Sequence, residues 1–146
     1  STAPRVGEHK SISLMELEPL FDLPKVKVVN LQYGKPKEQI AEFEQKTGKK
    51  VHQSFVNTFF DLEGVASMID LCDVVVACSN ANVHLAGAMG KETLVFDANK
   101  LWYWNCKEGD RSTWYPSVRL FPRQNMIAPW DDQVKVIVQK VREMIK

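Results

Sequence analysis

The sequence predicts an α/β protein with a mainly parallel sheet, and three observations support this fold class. Val74 to Ala77 is an unbroken apolar run rich in β-branched side chains, which is typical of a strand buried on both faces of a parallel sheet. A helical pattern from about Ala81 to Met89 and a strand pattern from Thr93 to Phe96 follow directly. Strand and helix patterns also alternate through the preceding part of the chain, as they do in parallel α/β domains.

The helix of this central unit has recognisable ends. Ser79 and Asn80 offer N-cap side chains, Gly90 suits a left-handed residue after the helix, and Lys91 suits the negative end of its dipole. The helix follows the carboxyl end of a strand, which is the edge where open parallel sheets bind ligands, and free N–H groups at a helix start suit an anion. The unit therefore predicts either a phosphate site from Ser79 to His84 or an ordinary capped helix.

Five further elements are predicted before the central unit. They are a helix that opens with a capping box of Ser13 and Glu16 and stops before Pro24, a strand at Val26 to Leu31, a helix from Pro36 to Gly48, a short strand at Val51 to Phe55, and a helix capped by Asp61.

Two elements are predicted after it. Val118 to Phe121 indicates a short strand, and a last helix begins at Asp131 or Asp132. One apolar stripe of that helix, at helical spacing, is expected to pack on the sheet; it comprises Val134, Ile137, Val138, Val141 and Ile145.

Composition excludes several classes of function. The 146 residues fit one domain, and a formal net charge of +1 gives no support for nucleic-acid or membrane-surface binding. No apolar run reaches the roughly 18 residues of a membrane span, and no signal-peptide core is present. The cysteines, Cys72, Cys78 and Cys106, contain no CxxC pair, which fits a reducing compartment and a cytoplasmic location. His9 and His52 lack partners at ligand spacing, so no metal site is expected.

His84 is the main candidate for chemistry. If Val83, Ala86 and Gly90 face the sheet, the imidazole points sideways toward the strand edge, where it can donate to a phosphate oxygen. The alternative is a partly buried histidine bonded to a carbonyl. Cys78 is disfavoured as a nucleophile because the sequence places no orienting acid beside it.

Other candidates also have two interpretations. Lys10 and Arg5 either neutralise a diphosphate or are solvated, and Trp102 and Trp104 either stack on a base or sugar or cover the sheet edge. Gly87 costs about 1 kcal/mol in helix propensity relative to alanine, and it indicates close packing of helix against strand.

These motifs resemble the carboxy-terminal, donor-binding domain of GT-B glycosyltransferases, especially the heptosyltransferase-like family 9 and its relatives fused to tetratricopeptide repeats. The resemblance covers nearly the whole chain, in order. The residues that carry it are His84 to Lys91, Trp102 to Trp104 and Ser112 to Phe121, and more weakly Lys10 to Ile12 and Leu31 to Gly34.

The resemblance implies a Rossmann-like three-layer domain over residues 1–146, equivalent to one half of a GT-B fold. A nucleotide-diphospho-sugar would be the donor substrate, with no permanently bound cofactor and no metal. The residues that would bind it are the diphosphate-binding Ser79, Asn80, Ala81 and His84, the basic Lys10, and Gln32 and Tyr33 at the nucleotide.

The chain departs from the family pattern in three ways. Ser79-Asn80 stands where relatives usually have Asp-Thr or Asp-Ser, and Tyr33 stands where many have lysine. The amino-terminal acceptor domain, which normally supplies the general base, and the strand expected before the Lys10 loop are not found. We therefore expect no catalytic residue here, an isolated chain that does not transfer sugar, and partnership with an acceptor domain or helical repeats.

Two other functions compete with this one. The chain is alternatively a degenerate, non-catalytic α/β domain kept for protein interaction, with the Trp102 to Trp104 segment exposed as its interface. A flavodoxin-like binding module explains the alternation of strands and helices but not the aromatic segment.

Overall fold

A computed structural model of the chain describes residues 10–34, 36–98, 104 and 109–145. In these residues β1 (Val75–Cys78), β2 (Thr93–Asp97) and β3 (Val118–Pro122) form a parallel sheet in the order β1-β2-β3. The helices are α1 (Glu18–Phe21), α2 (Lys37–Thr47), α3 (Leu62–Leu71), α4 (Ala81–Ala88) and α5 (Asp131–Met144). The predicted α/β class with a parallel sheet is confirmed.

Helices cover both faces of the sheet. On one face, α1 and α5 pack on alternate residues of the strands, among them Leu94 and Phe96 of β2. On the other face, α3 and α4 pack on the intervening residues, among them Val75 and Val95. The predicted apolar stripe of α5 is confirmed, since its residues are buried or partly buried on the face of the sheet that α1 and α5 cover.

The strand buried on both faces is β2 and not β1. All five residues of β2 are buried, whereas in β1 only Val75 is buried and the other three are half-buried. The predicted burial of the Val74 to Ala77 run on both faces is therefore wrong, and the strand begins and ends one residue later than predicted. The reason is position, because β1 lies at the edge of the described sheet and β2 lies at its centre.

Local capping signals are confirmed in most elements. Asp61 accepts the Gly64 amide at the start of α3, and Ser13 and Glu16 bond each other's backbone amides as a capping box. Gly48 and Gly90 take the left-handed conformation after α2 and α4, with φ of 68° and 72°. Such positions favour glycine because it has no Cβ.

Two cap predictions need correction. Pro36 is the N-cap residue of α2 and not its first helical residue. The Lys91 backbone amide donates to the Ala86 carbonyl at the end of α4, but its side-chain Nζ donates to the carbonyl oxygens of Asp70, in the last turn of α3, and Cys72, just after it, at 2.9 and 2.7 Å. The positive charge therefore stabilises the carboxyl end of the neighbouring helix.

The predicted strands at Val26 to Leu31 and Val51 to Phe55 are not formed as strands. A single parallel bridge joins Val29 to His52. Beyond this bridge, side-chain oxygens accept the hydrogen bonds of the backbone amides. Asn30 Oδ1 accepts the Gln32 amide, and Ser54 Oγ accepts the Val56 amide. Such local bonds compete with a strand ladder.

The first predicted helix is also shorter than expected. Residues 14–17 form turns in which Leu17 donates to the Leu14 carbonyl and Glu18 to the Met15 carbonyl, and α1 itself has four residues. Bonds of this three-residue span are those of a tight 3₁₀ turn, and Pro19 has no amide hydrogen with which to continue an α-helical ladder.

Several predictions concern residues outside the described part of the chain. These are Arg5, His9, Trp102, Tyr103 and Cys106. Within the described ranges, no helix combines the length and apolarity needed to cross a bilayer.

Candidate functional site

The start of α4 lies at the carboxyl end of β1, and the N-cap residue Asn80 already hydrogen-bonds some of the backbone amides there. The Asn80 side-chain oxygen accepts the amides of Asn82 and Val83, at 2.9 and 3.3 Å, while Ala81 is exposed. The predicted N-cap at Asn80 is therefore confirmed, and its side chain occupies two of the amides that the sequence offered to a phosphate. The carboxamide nitrogen of Asn80 remains a donor group at this helix start.

His84 lies in a cluster of three rings, called here the His84 cluster, which comprises His84, Trp104 and Tyr115. The imidazole stacks on the Trp104 indole with centroids 4.6 Å apart and an interplanar angle of 13°. The Tyr115 ring meets it edge to face at 5.7 Å, and His84 Nδ1 lies 3.3 Å from the Tyr115 hydroxyl. Half-burial of His84 is confirmed, but this contact is with a hydroxyl and not with the expected carbonyl.

Glycine at position 87 makes room for this cluster. A Cβ added to Gly87 would lie 2.6 Å from the Tyr115 ring, far inside van der Waals contact. Gly87 is buried on the inner face of α4, together with Val83 and Ala86, whereas Gly90 is exposed. The prediction of close packing at Gly87 is correct, but its partner is the Tyr115 ring before β3 and not a strand.

Trp104 connects the cluster to the strand edge. Its side chain is 1% exposed, and its indole Nε1 donates to Ser79 Oγ at 3.0 Å. Ser112 Oγ donates to the Trp104 carbonyl at 3.2 Å and accepts the Tyr115 amide at 3.4 Å. Residues from three separate stretches of the sequence, around positions 79–87, 104 and 112–115, thus meet at one place.

The Gln32 and Tyr33 segment passes beside the start of α4. Asn82 Nδ2 donates to the Leu31 carbonyl at 2.9 Å, and Thr58 Oγ1 donates to the Gln32 carbonyl at 3.0 Å. Gln32 lines a shallow cleft of about 150 Å³ whose other walls include Asn30, Lys37, Gln53 and Thr58. Through Asn82, the structure brings the Gln32 region next to Ser79, Asn80 and Ala81.

Lys10 belongs to a segment that reaches the same strand edge. Lys10 is half-buried, the Ser11 carbonyl accepts the Trp130 indole N–H at 3.1 Å, and the Ile12 backbone hydrogen-bonds the Cys78 thiol. Burial raises the pKa of that thiol to about 11, against the weaker opposing effect of the Ile12 bond. Cys78 is therefore protonated near neutral pH, which argues against a nucleophile.

Sequence reasoning missed two features near this edge. Arg123, 7% exposed, follows β3 and lies over the Trp130 ring at 4.1 Å, and its Nη1 donates to the Ala128 carbonyl. Phe59 and Phe60 are 66% and 80% exposed, and Phe59 contacts both Phe60 and Tyr33. The sequence signals that could have identified these features were a basic residue at a strand end and an apolar pair directly before the Asp61 cap.

No group of three or more His, Cys, Asp and Glu side chains that could hold a metal ion occurs in the described ranges. The residues gathered at this edge are instead hydroxyls, amides, an imidazole and aromatic rings. They can donate hydrogen bonds to an anion and pack against a flat ligand surface.

No family model matches the chain, and no solved structure matches it. The chain is similar to Protein FlbA of Caulobacter vibrioides (strain ATCC 19089 / CIP 103742 / CB 15), with 37% identity over 105 residues, which is 71% of this chain and 17% of FlbA. The chain thus spans 17% of the length of the curated relative it matches. This comparison relates it to one segment of a longer protein.

Proposed function

We propose that this chain is the nucleotide-diphospho-sugar-binding domain of a metal-independent glycosyltransferase, a Rossmann-like half of a GT-B fold. One observation carries the proposal. Ser79 and Asn80 at the end of β1, His84 on α4, and the distant Trp104 and Tyr115 form one connected arrangement. It lies at the carboxyl edge of a parallel sheet, where α/β proteins bind ligands.

In this proposal the diphosphate binds at the start of α4. Ser79, Asn80, Ala81 and His84 supply hydroxyl, carboxamide, backbone and imidazole donors, and Lys10 supplies positive charge. The leaving diphosphate becomes more negative as the sugar bond breaks, and donors that are already oriented stabilise this charge without reorganisation. Gln32 and Tyr33 lie at the nucleotide end, which fits the bond between Asn82 and the Leu31 carbonyl.

The proposal gives this chain a binding role and no catalytic residue. A general base for the acceptor hydroxyl comes from an amino-terminal acceptor domain, so the isolated chain binds donor without transferring sugar. The match to one segment of FlbA supports a domain that works beside others. A cytoplasmic location belongs to the same proposal, and the free thiols of Cys72 and Cys78 are compatible with it.

Calorimetric titration of UDP-, GDP- and ADP-sugars tests the proposal. We expect one of them to bind at about 1 mM or tighter, and we expect His84→Ala to weaken it about tenfold or more, because a hydrogen bond to a charged group is lost. His52→Ala is the matched control, since His52 is exposed and outside the proposed site. Absence of binding by every nucleotide near that concentration contradicts the proposal.

A non-catalytic interaction domain is the second candidate, and the exposed rings of Tyr33, Phe59 and Phe60 favour it. The burial of Trp104 excludes that residue from the exposed interface expected from the sequence. Sedimentation of the wild type and of Phe59→Ser/Phe60→Ser tests this candidate. Self-association that the double variant abolishes, together with no response to nucleotides, supports it over donor binding.

A further inference from the structure

We propose that Tyr115 is a positioning residue that fixes the proton of neutral His84 on Nε2. The inference about the proton stands on the geometry and chemistry of the Tyr115 and His84 pair, whereas its consequence for ligand binding rests on the proposed function. Tyr115 lies in the loop before β3, 31 residues from His84, and it acts through the imidazole.

The phenol is held in place from several sides. Ser112 Oγ accepts the Tyr115 amide, and the Val118 amide donates to the Tyr115 carbonyl at 2.9 Å. The ring occupies the space beside Gly87 that a larger residue would fill. The hydroxyl is therefore presented to α4 by a backbone with little freedom to move.

The imidazole is held between two rings. Trp104 covers one of its faces almost in parallel, and Tyr115 approaches it at 74°. A half-turn of the ring about the Cβ–Cγ bond would place carbon Cδ2 where Nδ1 now lies, 3.3 Å from the Tyr115 hydroxyl, and would lose this contact. The contact thus distinguishes the two nitrogens of His84.

The chemistry of the pair gives the direction of the hydrogen bond. An imidazole nitrogen with a lone pair is a better acceptor than a phenol oxygen, and a phenol is a better proton donor than a neutral imidazole. The Tyr115 hydroxyl therefore donates to Nδ1. A neutral imidazole carries one proton, so that proton lies on Nε2.

This assignment gives His84 a defined role in the proposed site. A neutral histidine can donate to a phosphate oxygen only from the nitrogen that bears hydrogen, and Tyr115 makes this nitrogen Nε2. Loss of the phenol hydroxyl would remove the hydrogen bond that favours the Nε2–H tautomer. The hydrogen bond from His84 to an anionic ligand would then carry the cost of selecting that tautomer.

Long-range ¹H–¹⁵N NMR of the imidazoles at alkaline pH tests the inference without any ligand. We expect wild-type His84 to show a protonated Nε2 and a hydrogen-bonded, unprotonated Nδ1. Tyr115→Phe keeps the ring beside Gly87, and we expect it to shift the Nδ1 frequency and to mix the tautomers. His52, assigned with His52→Gln, serves as the internal reference that should not change. A backbone amide spectrum checks that Tyr115→Phe is folded.

Two spectral results would overturn the inference: a proton on Nδ1 in the wild type, or identical His84 frequencies in folded Tyr115→Phe. Titration with inorganic pyrophosphate separates this question from the proposed function. If pyrophosphate binds, we expect Tyr115→Phe to bind it about fivefold to tenfold more weakly, the effect of one hydrogen bond. If neither pyrophosphate nor nucleotides bind the wild type, the proposed function fails, and the spectra still decide the proton assignment.

Discussion

The Tyr115 ring lies where a side chain at Gly87 would have to be, with 2.6 Å between its Cγ and an added Cβ. Substitution Gly87→Ala should therefore displace the ring and break the contact between Tyr115 and His84. We expect a net loss of about 1–3 kcal/mol in the free energy of unfolding, since overpacking outweighs the roughly 1 kcal/mol that alanine gains in helix propensity. Urea denaturation measures the change.

The Tyr115→Gly background provides the control for this prediction, because it removes the ring and also the Tyr115 Cβ, which would lie 2.9 Å from the added Cβ. In that background Gly87→Ala should become neutral or stabilising, because the helix-propensity gain remains without the overpacking. If Gly87→Ala destabilises both backgrounds equally, the Tyr115 side chain is not the cause.

Substitutions at Asn80 allow its contribution to stability, as the cap of α4, to be separated from its contribution to binding in the proposed site. Asn80→Ala should lower stability by about 1 kcal/mol, because the amides of Asn82 and Val83 lose their acceptor. Asn80→Asp keeps that acceptor and adds negative charge at a helix start, so stability should be retained or increased, while affinity for a diphosphate should fall by repulsion. Thermal unfolding and nucleotide titration of both variants test this pair of opposite expectations. A diphosphate bound equally well by wild type and Asn80→Asp would contradict the predicted site.

Ser79 and Trp104 should stabilise the strand edge as a pair. Ser79→Ala leaves the buried indole N–H of Trp104 without the Ser79 acceptor, which should cost about 1–3 kcal/mol. In a Trp104→Phe background the same substitution should cost less, since the indole donor is already absent. A double-mutant cycle by chemical denaturation gives the coupling energy. A coupling energy near zero would show that this hydrogen bond contributes nothing to stability.

The raised pKa of the Cys78 thiol predicts a loss of stability at alkaline pH. Its folded pKa of about 11 exceeds the usual 9.0 because burial disfavours the thiolate, so the folded state holds the proton more tightly than the unfolded chain does. This contribution, on the order of 2–3 kcal/mol, is fully present below about pH 9 and is lost as the pH rises through about 11. The difference in unfolding free energy between wild type and Cys78→Ala should decrease over that range. A constant difference would contradict the raised pKa.

The sequence predicted the stretch from Asp61 to Asp97 well because its signals are local. Asp61 and Asn80 are caps that act within three residues, and Gly90 meets a backbone requirement of its own position. The stripe of α5 is likewise a periodic property of one segment. Burial of β1 could not be predicted in this way, because the order of strands decides which strand is central.

The candidate site was predicted only in its local part. Ser79, Asn80 and His84 were identified from their places in one strand-to-helix turn. The contacts of His84 with Trp104 and Tyr115 bring together residues that are 20 and 31 positions away from it, and no periodic pattern encodes them. Gly87 was the local sign of this packing, but its partner became evident only in the folded chain.

The self-capped start of α4 has a consequence for how tightly any anion can be held there. An anion that took the amides of Asn82 and Val83 would first have to displace the Asn80 oxygen, and the lost cap, about 1 kcal/mol, would be subtracted from its affinity. Ligand occupancy would then be coupled to the rotamer of a single asparagine. A carboxamide that swings between backbone and ligand would keep the helix start hydrogen-bonded both before and after the exchange.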